Sequence, residues 1–468
     1  MKAVSKLEKL VVCEILGATG GELLRGSAEA DVTGVSTDTR LIKAGDVFFA
    51  LRGEKSDGHL YVPDALKAGA SGVVVADGMS VPVDSSGFVI KVDDPLWSLG
   101  ELAAYYRSKF EVRTVGVTGS VGKTTTKEML ASILEQKWRV LKNNANFNNE
   151  IGVPLTLFQL DSSHDVAVVE MAMRGLGEIR RLARIAKPSV GIVTNVGISH
   201  IERLGSQSAI AEAKSELLEE LPSDGLAVIN AEDGYFTVLK HHCNCRIITF
   251  GTCKWADVIG TRVRSDNDGR YSFVLFVEGI GAIPIKLPVL GYHNVYNALA
   301  AAATAVGMGL DLETIRQGLE SFTQPMMRME LMTSKHGFAI LNDTYNASPA
   351  SVLSALKTLA SIRKYKRKIA VLGDMLELGD YSHKAHRDIG SVIVKNGIEM
   401  LVTVGPLAKL IAEGAVESGL PKTAILSYAD SSEAAHALAG RFSEGDVILI
   451  KGSRGVKMDE IVRVLLDD

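Results

Sequence analysis

The stretch Thr118-Gly119-Ser120-Val121-Gly122-Lys123-Thr124-Thr125-Thr126 has the residue types and spacing to hold phosphate. Glycines let backbone N–H groups close around phosphate oxygens, and the start of a helix adds positive potential. In that setting Lys123 reaches the terminal phosphates and the Thr124 hydroxyl is placed to hold Mg²⁺. Residues 119–125 are therefore the candidate loop for ATP or GTP. One departure stands out. The common motif carries a glycine five residues before the Gly-Lys pair, and here that position is Val117. The loop is shortened to Gly-x-x-Gly-Lys-Thr.

Such a loop needs a strand to deliver it and a helix to receive it. Thr114-Val115-Gly116-Val117 reads as a buried strand, and the periodic run from Lys127 to Leu134 as an amphipathic helix. Around them, residues 111–322 alternate strand and helix signals. The expected strands are Thr114–Val117, Val166–Glu170, Val190–Asn195 and Leu226–Asn230. A β-rich segment from 256 to 287 is expected to interrupt the alternation. An Ala-rich helix is expected from His293 to Met308, then a helix from Leu312 to Phe322. From 323 the alternation restarts with short apolar runs at 339–341, 368–372, 400–404, 424–426 and 447–450, and no second phosphate loop. Residues 1–110 hold short strands, and a helix from Pro95 to Phe110 bridges into the central domain. The expected architecture is α/β in three domains. A small α/β domain spans 1–110, a central parallel-sheet P-loop domain 111–322, and a Rossmann-like α/β domain 323–468.

In open parallel sheets, functional groups collect at the carboxyl ends of strands. Glu170 and His200 both sit at such ends. Together they suit a second divalent ion, two Mg²⁺ being able to neutralise a transferring phosphoryl group, or simple hydrogen bonding. Lys214 in a helix, and Arg328, Asp343 and Lys451, read by type alone as solvated surface residues. Five Asn occupy residues 143–149, among them Asn146 and Asn149. Such a run makes a structured loop or a set of ligand hydrogen bonds. Asn294 is placed either to cap the Ala-rich helix or to meet an adenine. Ser36, Asp38 and Arg40 lie in what is, taken alone, a polar loop.

The bulk composition excludes several classes. The 468 residues fit about three domains at roughly 150 each. A hydrophobic fraction of 46% and a net charge of −4, with no long basic run, argue against nucleic acid or an anionic membrane as the main partner. Glu14 breaks the first apolar stretch, so no signal peptide is expected, and Ala298 to Leu310 is too short to span a bilayer. A cytoplasmic protein without membrane insertion is expected. Cys243, Cys245 and Cys253 lie near His241 and His242, but the spacing is not that of a zinc site. They read, with Cys13, as reduced structural thiols.

In their order along nearly the whole chain, these segments resemble the Mur ligase family, which joins amino acids or peptides to UDP-linked cell-wall precursors. Residues 118–126 look like its short P-loop. The Asn-rich segment, Glu170, His200 and Lys214 fall where the family places its central-domain residues. Residues 291–297, with Asn294, look like its adenine-side motif, and Arg328 and Asp343 like its C-terminal ATP contacts. The resemblance implies that Lys214 is carbamylated and joins Thr124, Glu170 and His200 in holding Mg²⁺, two ions in all. Asn342-Asp343-Thr344-Tyr345-Asn346-Ala347-Ser348-Pro349 resembles the Asp-Asp-Ser-Tyr-Asn-Ala-Asn-Pro of the branch that adds D-Ala-D-Ala to UDP-MurNAc-tripeptide, departing at Asn342 and Ser348. Residues 372–379 and 451–455 look like the same branch. The Asp-Asn-Pro-Arg selector of the tripeptide-forming branch does not occur. Ser36, Asp38 and Arg40, with the Ala50–His59 segment, resemble the UDP-sugar domain, and Asn146 and Asn149 join them on the UDP-substrate side. The implied reaction is ATP-dependent amide formation through an acyl phosphate, by a monomer. The rivals are another Mur ligase, a folylpolyglutamate synthase-like enzyme, or a P-loop switch. The last would carry a guanine selector such as Asn-Lys-x-Asp, which does not occur.

Overall fold

The computed structural model describes residues 7–53, 56–78, 87–144, 146–199 and 201–467. His200, and Glu54, Lys55 and Ala145 of the segments above, lie outside the described residues. Three larger open sheets succeed one another along the chain, beside a two-stranded pair of Leu10–Val11 with Asp31–Val32. The largest has nine strands. Arg113–Thr118 lies third from one edge, flanked by Val166–Glu170 and Val190–Val193, all parallel. These strands are buried runs of Val and Ile, as a sheet covered on both faces requires. Leu226–Asn230 and Arg246–Gly251 continue the parallel array outward. Packing against the helices is close. A Cβ on Gly116 would lie 2.8 Å from Leu217 Cδ1 on the helix Gln207–Glu219.

The β-rich segment interrupts the strand–helix alternation as expected, and it does so by extending the same sheet. Val258–Ser265 pairs parallel with Arg246–Gly251, and Arg270–Val277 and Gly281–Leu290 add antiparallel strands. The last strand alternates buried and exposed residues and carries Pro284 and Pro288 on its exposed side, which suits an edge. One expectation is corrected: the strand expected to reach Asn195 ends at Val193. Thr194 and Asn195 are thereby released for other hydrogen bonds. In the first 30 residues the helix Val12–Thr19 and the strand Glu22–Arg25 escaped the pattern reading. The helix is only eight residues long and closed by Gly20 at φ +66°; the strand is half exposed.

A five-stranded sheet occupies residues 22–92 and a six-stranded one residues 330–451. In the latter Ala339–Asn342, Asp446–Lys451, Arg367–Gly373, Met400–Val404 and Ile425–Tyr428 run parallel, with antiparallel Glu330–Thr333 at one edge. The helix Pro95–Ser108 is started by Asp94, whose carboxylate accepts the N–H groups of Leu96 and Trp97, with proline in the first turn. It buries Leu99, Leu102, Ala103 and Tyr106 in one apolar cluster that runs from Leu10 and Ile90 through to Leu217 and Ile229. The first two sheets are thus joined by a common core. The third has clusters of its own on its two faces.

Tyr106 ties this seam. Its hydroxyl donates to the Leu160 carbonyl at 2.9 Å and accepts the Glu8 N–H at 2.9 Å. Burial pushes the phenol up to about 12. Tyr106→Phe leaves both groups without their partner and is expected to lower stability by about 1–3 kcal/mol. Urea unfolding of the whole chain measures this; an unchanged midpoint would show the hydroxyl to be idle.

Candidate functional site

The shortened loop is held by the neighbouring strand end. Asn195 Oδ1 accepts the Val121 N–H at 3.1 Å, and its Nδ2 donates to the Val121 carbonyl at 2.8 Å. Thr194 Oγ1 donates to the same carbonyl at 2.7 Å. Ser120 N–H donates to the Asn195 carbonyl at 3.0 Å, and Ser120 Oγ accepts the Gly197 N–H at 2.8 Å. These contacts need two glycines. A Cβ at Gly119 (φ +148°) would lie 1.9 Å from Thr194 Oγ1, and one at Gly122 (φ +85°) 2.3 Å from Asn297 Oδ1. Val117, where a longer loop has its first glycine, is a fully buried strand residue. The Lys123 ammonium donates to the Gly119 carbonyl at 2.8 Å.

Glu170 ends the adjacent strand, opposite Val117. It is 2% exposed. Asn148 Nδ2 donates to its Oε1 at 2.8 Å, while Oε2 is buried with no hydrogen-bond partner among the described residues. Lys214, expected from its type to be solvated, is also 2% exposed. Burial and the Lys123 ammonium hold its own ammonium well below the usual lysine range. Burial lowers Lys123 too; Glu170 opposes that shift and Arg328 adds to it. Two residues beyond Lys214, Glu216 accepts the N–H groups of Gly177 at 2.6 Å and Arg180 at 2.9 Å. It thereby caps the helix Glu178–Ala186 and fixes the turn after Arg174, which lines the cleft.

The third sheet closes the opposite wall. Arg328 lies between Met327 and Met329, both at positive φ (+58° and +54°). Its Nη2 donates to Thr124 Oγ1 at 3.2 Å and its guanidinium stacks 4.1 Å over the Tyr345 ring. Asp343 accepts the Lys451 ammonium at 2.6 Å and the Met329 N–H at 3.2 Å. Lys451 donates also to the Asn346 carbonyl at 2.8 Å. Burial lowers the Lys451 ammonium although Asp343 opposes the shift. Arg328, Asp343 and Lys451 are therefore site-wall groups, not surface charges. Between the walls lies a cleft of about 730 Å³, lined by residues 120–125, Asn146, Glu170, Arg328 and Asp343.

Other candidates are placed elsewhere. Asn294 does not line the cleft. Its Nδ2 donates to the Leu290 carbonyl at 2.7 Å, and its Oδ1 accepts from Asn297, which does line it. Asn149 Oδ1 accepts the Gly152 N–H at 2.9 Å and so starts the helix Gly152–Leu157. Ser36, Asp38 and Arg40 form a closed set in the first sheet's loops, away from the cleft lining. Asp38 takes the Arg40 guanidinium at 2.6 Å, which lowers its carboxyl, and Ser36 Oγ donates to the Asp38 carbonyl. Cys243 Sγ donates to the Leu239 carbonyl, and burial pushes the thiol up to about 12. Among the described residues no helix is long and apolar enough to cross a membrane. Asn148, Tyr345 and His293 fall within segments that the sequence singled out, but none was named as a site residue; neither were Thr194 and Asn195, whose signal was their place at a strand end beside the loop.

Known proteins match along the whole length. Residues 31–107 match the domain described as Mur ligase family, catalytic domain. Residues 117–305 match the Mur ligase middle domain, and 327–454 the Mur ligase, glutamate ligase domain. The UDP-N-acetylmuramoyl-tripeptide–D-alanyl-D-alanine ligase of Bacillus subtilis is 38% identical over 93% of both chains. A crystal structure of MurF from Acinetobacter baumannii superposes with a TM-score of 0.90 at 30% identity, covering 99% of this chain and 100% of that one. MurF ligase from Thermotoga maritima in complex with ADP gives 0.81 at 28% identity, covering 92% and 97%.

His293 offers a pH test of the site's packing. Burial is the main cause that lowers its imidazole from 6.5 to about 4. Between those values the unfolded chain binds the proton and the folded chain does not, so folding loses stability as pH falls through this window. His293→Gln cannot titrate and should lose less stability between pH 6.5 and 4. Urea midpoints at pH 7 and 4.5 measure it; equal losses in both proteins would refute the shift.

Proposed function

The chain belongs to the Mur ligase family, and from that premise we propose that it joins D-alanyl-D-alanine to UDP-N-acetylmuramoyl-tripeptide at the expense of ATP. One observation carries the reading: the phosphate loop, Glu170 and the Asp343–Lys451 pair line a single cleft in a chain that matches a ligase of that name over 93% of both lengths. The ADP complex of the Thermotoga maritima relative supports the nucleotide. We take 1–110, 111–322 and 323–468 as the UDP-substrate, ATP-binding and closing domains, in accord with the three sheets.

The triphosphate lies on residues 119–125, with Lys123 on its terminal phosphates and Arg328 and Asp343 on the facing wall. The tripeptide carboxylate attacks the γ-phosphorus, the bond to the bridging oxygen breaks, and ADP leaves. The amine of D-Ala-D-Ala, having given up a proton, then attacks the acyl phosphate carbonyl; phosphate leaves and the amide remains. Activation is required because a free carboxylate is a poor acyl acceptor. Lys123 faces the charge that spreads over the transferring oxygens. Ser36, Asp38 and Arg40, with Asn146, serve the UDP substrate, while Asn149 and Asn294 act by positioning their neighbours. Working as a monomer in the cytoplasm completes the reading.

The residues fit Mg²⁺. Glu170 Oε2 is a buried oxygen without a partner among the described residues, and a hard cation takes oxygen ligands. Thr124, Glu170, His200 and Lys214 as its carbamate would hold two ions, which supply neutralisation of the phosphate charge. The carbamate follows from the same electrostatics. A lysine whose ammonium is destabilised by burial and by Lys123 presents a neutral amine. That amine adds to CO₂ with release of one proton, and the resulting anion replaces repulsion from Lys123 with attraction.

Phosphate release should require both UDP-MurNAc-tripeptide and D-Ala-D-Ala, with the pentapeptide product confirmed by mass spectrometry. Equal release with neither, or joining of a free diamino acid to the UDP-dipeptide, would overturn the assignment. Lys214→Ala should lower activity about a hundredfold, as loss of a metal-site partner does. Bicarbonate should not restore it, whereas short carboxylates filling the vacated space should restore part. A fully active variant would refute the carbamate.

A further inference from the structure

Lys127 lies one turn beyond Lys123 on the helix Lys123–Leu134, and it points away from the cleft. It is fully buried. Its ammonium donates to the Asn143 carbonyl at 2.5 Å and pairs with Glu128 at 3.0 Å, and Glu128 pairs in turn with Lys142 at 2.8 Å. Asn143, also fully buried, is an unusual hub. Its Oδ1 accepts the Glu170 N–H at 2.9 Å, and its Nδ2 donates to the Glu170 carbonyl at 3.0 Å and to the Phe147 carbonyl at 2.8 Å. The strand Val140–Lys142 pairs with Val166–Val168 and stops there. The Asn143 side chain supplies the two ladder bonds that a further strand residue would give to Glu170. Through Phe147 it also sets the backbone next to Asn148, whose amide orients the Glu170 carboxylate.

We propose that Lys127 and Asn143 are positioning residues that lock the phosphate-loop helix to Glu170, so that the two halves of the phosphate and metal site move as one. The inference rests on the reading of Glu170 as a metal ligand. Burying an ammonium is expensive unless its hydrogen bonds are met, and one neutral carbonyl and one carboxylate meet them here. A plain apolar side chain would fill the space at lower cost, so the lysine is placed for the Asn143 carbonyl it holds. Lys123 starts a helix and Glu170 ends a strand, and Asn143 joins the Lys127 ammonium of that helix to the Glu170 backbone.

The test compares Lys127→Met, Asn143→Ser and Glu170→Gln in the full chain. Mn²⁺ binding to the enzyme with a non-hydrolysable ATP analogue is followed by electron paramagnetic resonance, beside steady-state kinetics. Lys127→Met and Asn143→Ser are each expected to weaken Mn²⁺ binding and lower kcat about tenfold, the low end for partners behind a metal ligand, with KM for D-Ala-D-Ala unchanged. Nucleotide binding measured in EDTA should stay within about twofold, and the double variant should be no worse than the weaker single. Wild-type Mn²⁺ affinity and kcat in both folded variants would overturn the relay if Glu170→Gln still loses both. If Glu170→Gln also binds Mn²⁺ normally, the metal assignment fails instead. Equal loss of nucleotide in EDTA, or additive losses in the double variant, would reduce Lys127 to a packing role. Should Lys127→Met not fold, Asn143→Ser carries the same readouts.

Discussion

Lys214, buried within the field of Lys123 on the cleft wall, sets the terms for the whole cleft. Like charges in a poorly solvated place repel strongly. Burial lowers both ammoniums, and the Lys123 charge lowers Lys214 further. Glu170 brings one carboxylate with an oxygen unspent, and the Asp343 carboxylate is already committed to Lys451. Pre-organised charge of this sort lowers a barrier because no dipole has to turn during the reaction.

The walls that carry this charge come from separate sheets, and their junction has a distinct construction. The first two sheets share an apolar core stitched by the helix Pro95–Ser108. The third meets the loop through polar groups, chiefly Arg328 on Thr124, and through a connection in which Met327 and Met329 both take left-handed backbone angles. Such angles cost of order 1 kcal/mol or more for residues with a Cβ, so neighbouring contacts hold them. The Asp343–Met329 and Tyr345–Met327 backbone contacts do so here. The Met327–Met329 connection is therefore set by the same Asp343 that braces Lys451.

Much of this was legible in the sequence wherever the signal was local. The phosphate loop announces itself because glycine, lysine and threonine must stand at fixed offsets between strand and helix. Glu170 was found because a carboxylate ended an apolar run. The order of motifs carried Arg328 and Asp343, which no single pattern would have raised above the surface background. What stayed hidden depends on which strands become neighbours. Asn195 clasps Val121 only because Val190–Val193 lies beside Arg113–Thr118. The burial of Lys214 and Lys451 is made by residues far away in the chain, and lysine by type argues for solvent. The sequence left Asn294 and Asn149 open between structural and ligand roles, because an amide that bonds its own backbone and one that binds a ligand look alike until their neighbours are seen.

The outer strand of the largest sheet bears on how the protein behaves at high concentration. Unpaired strand edges invite other chains to add on. Here Pro284 and Pro288 remove two amide hydrogens from the exposed rim, and Glu320 accepts the N–H of Lys286 between them. A second copy approaching this rim meets no continuous row of donors. The sheet that carries the phosphate loop can thus grow to nine strands and still stop at this rim.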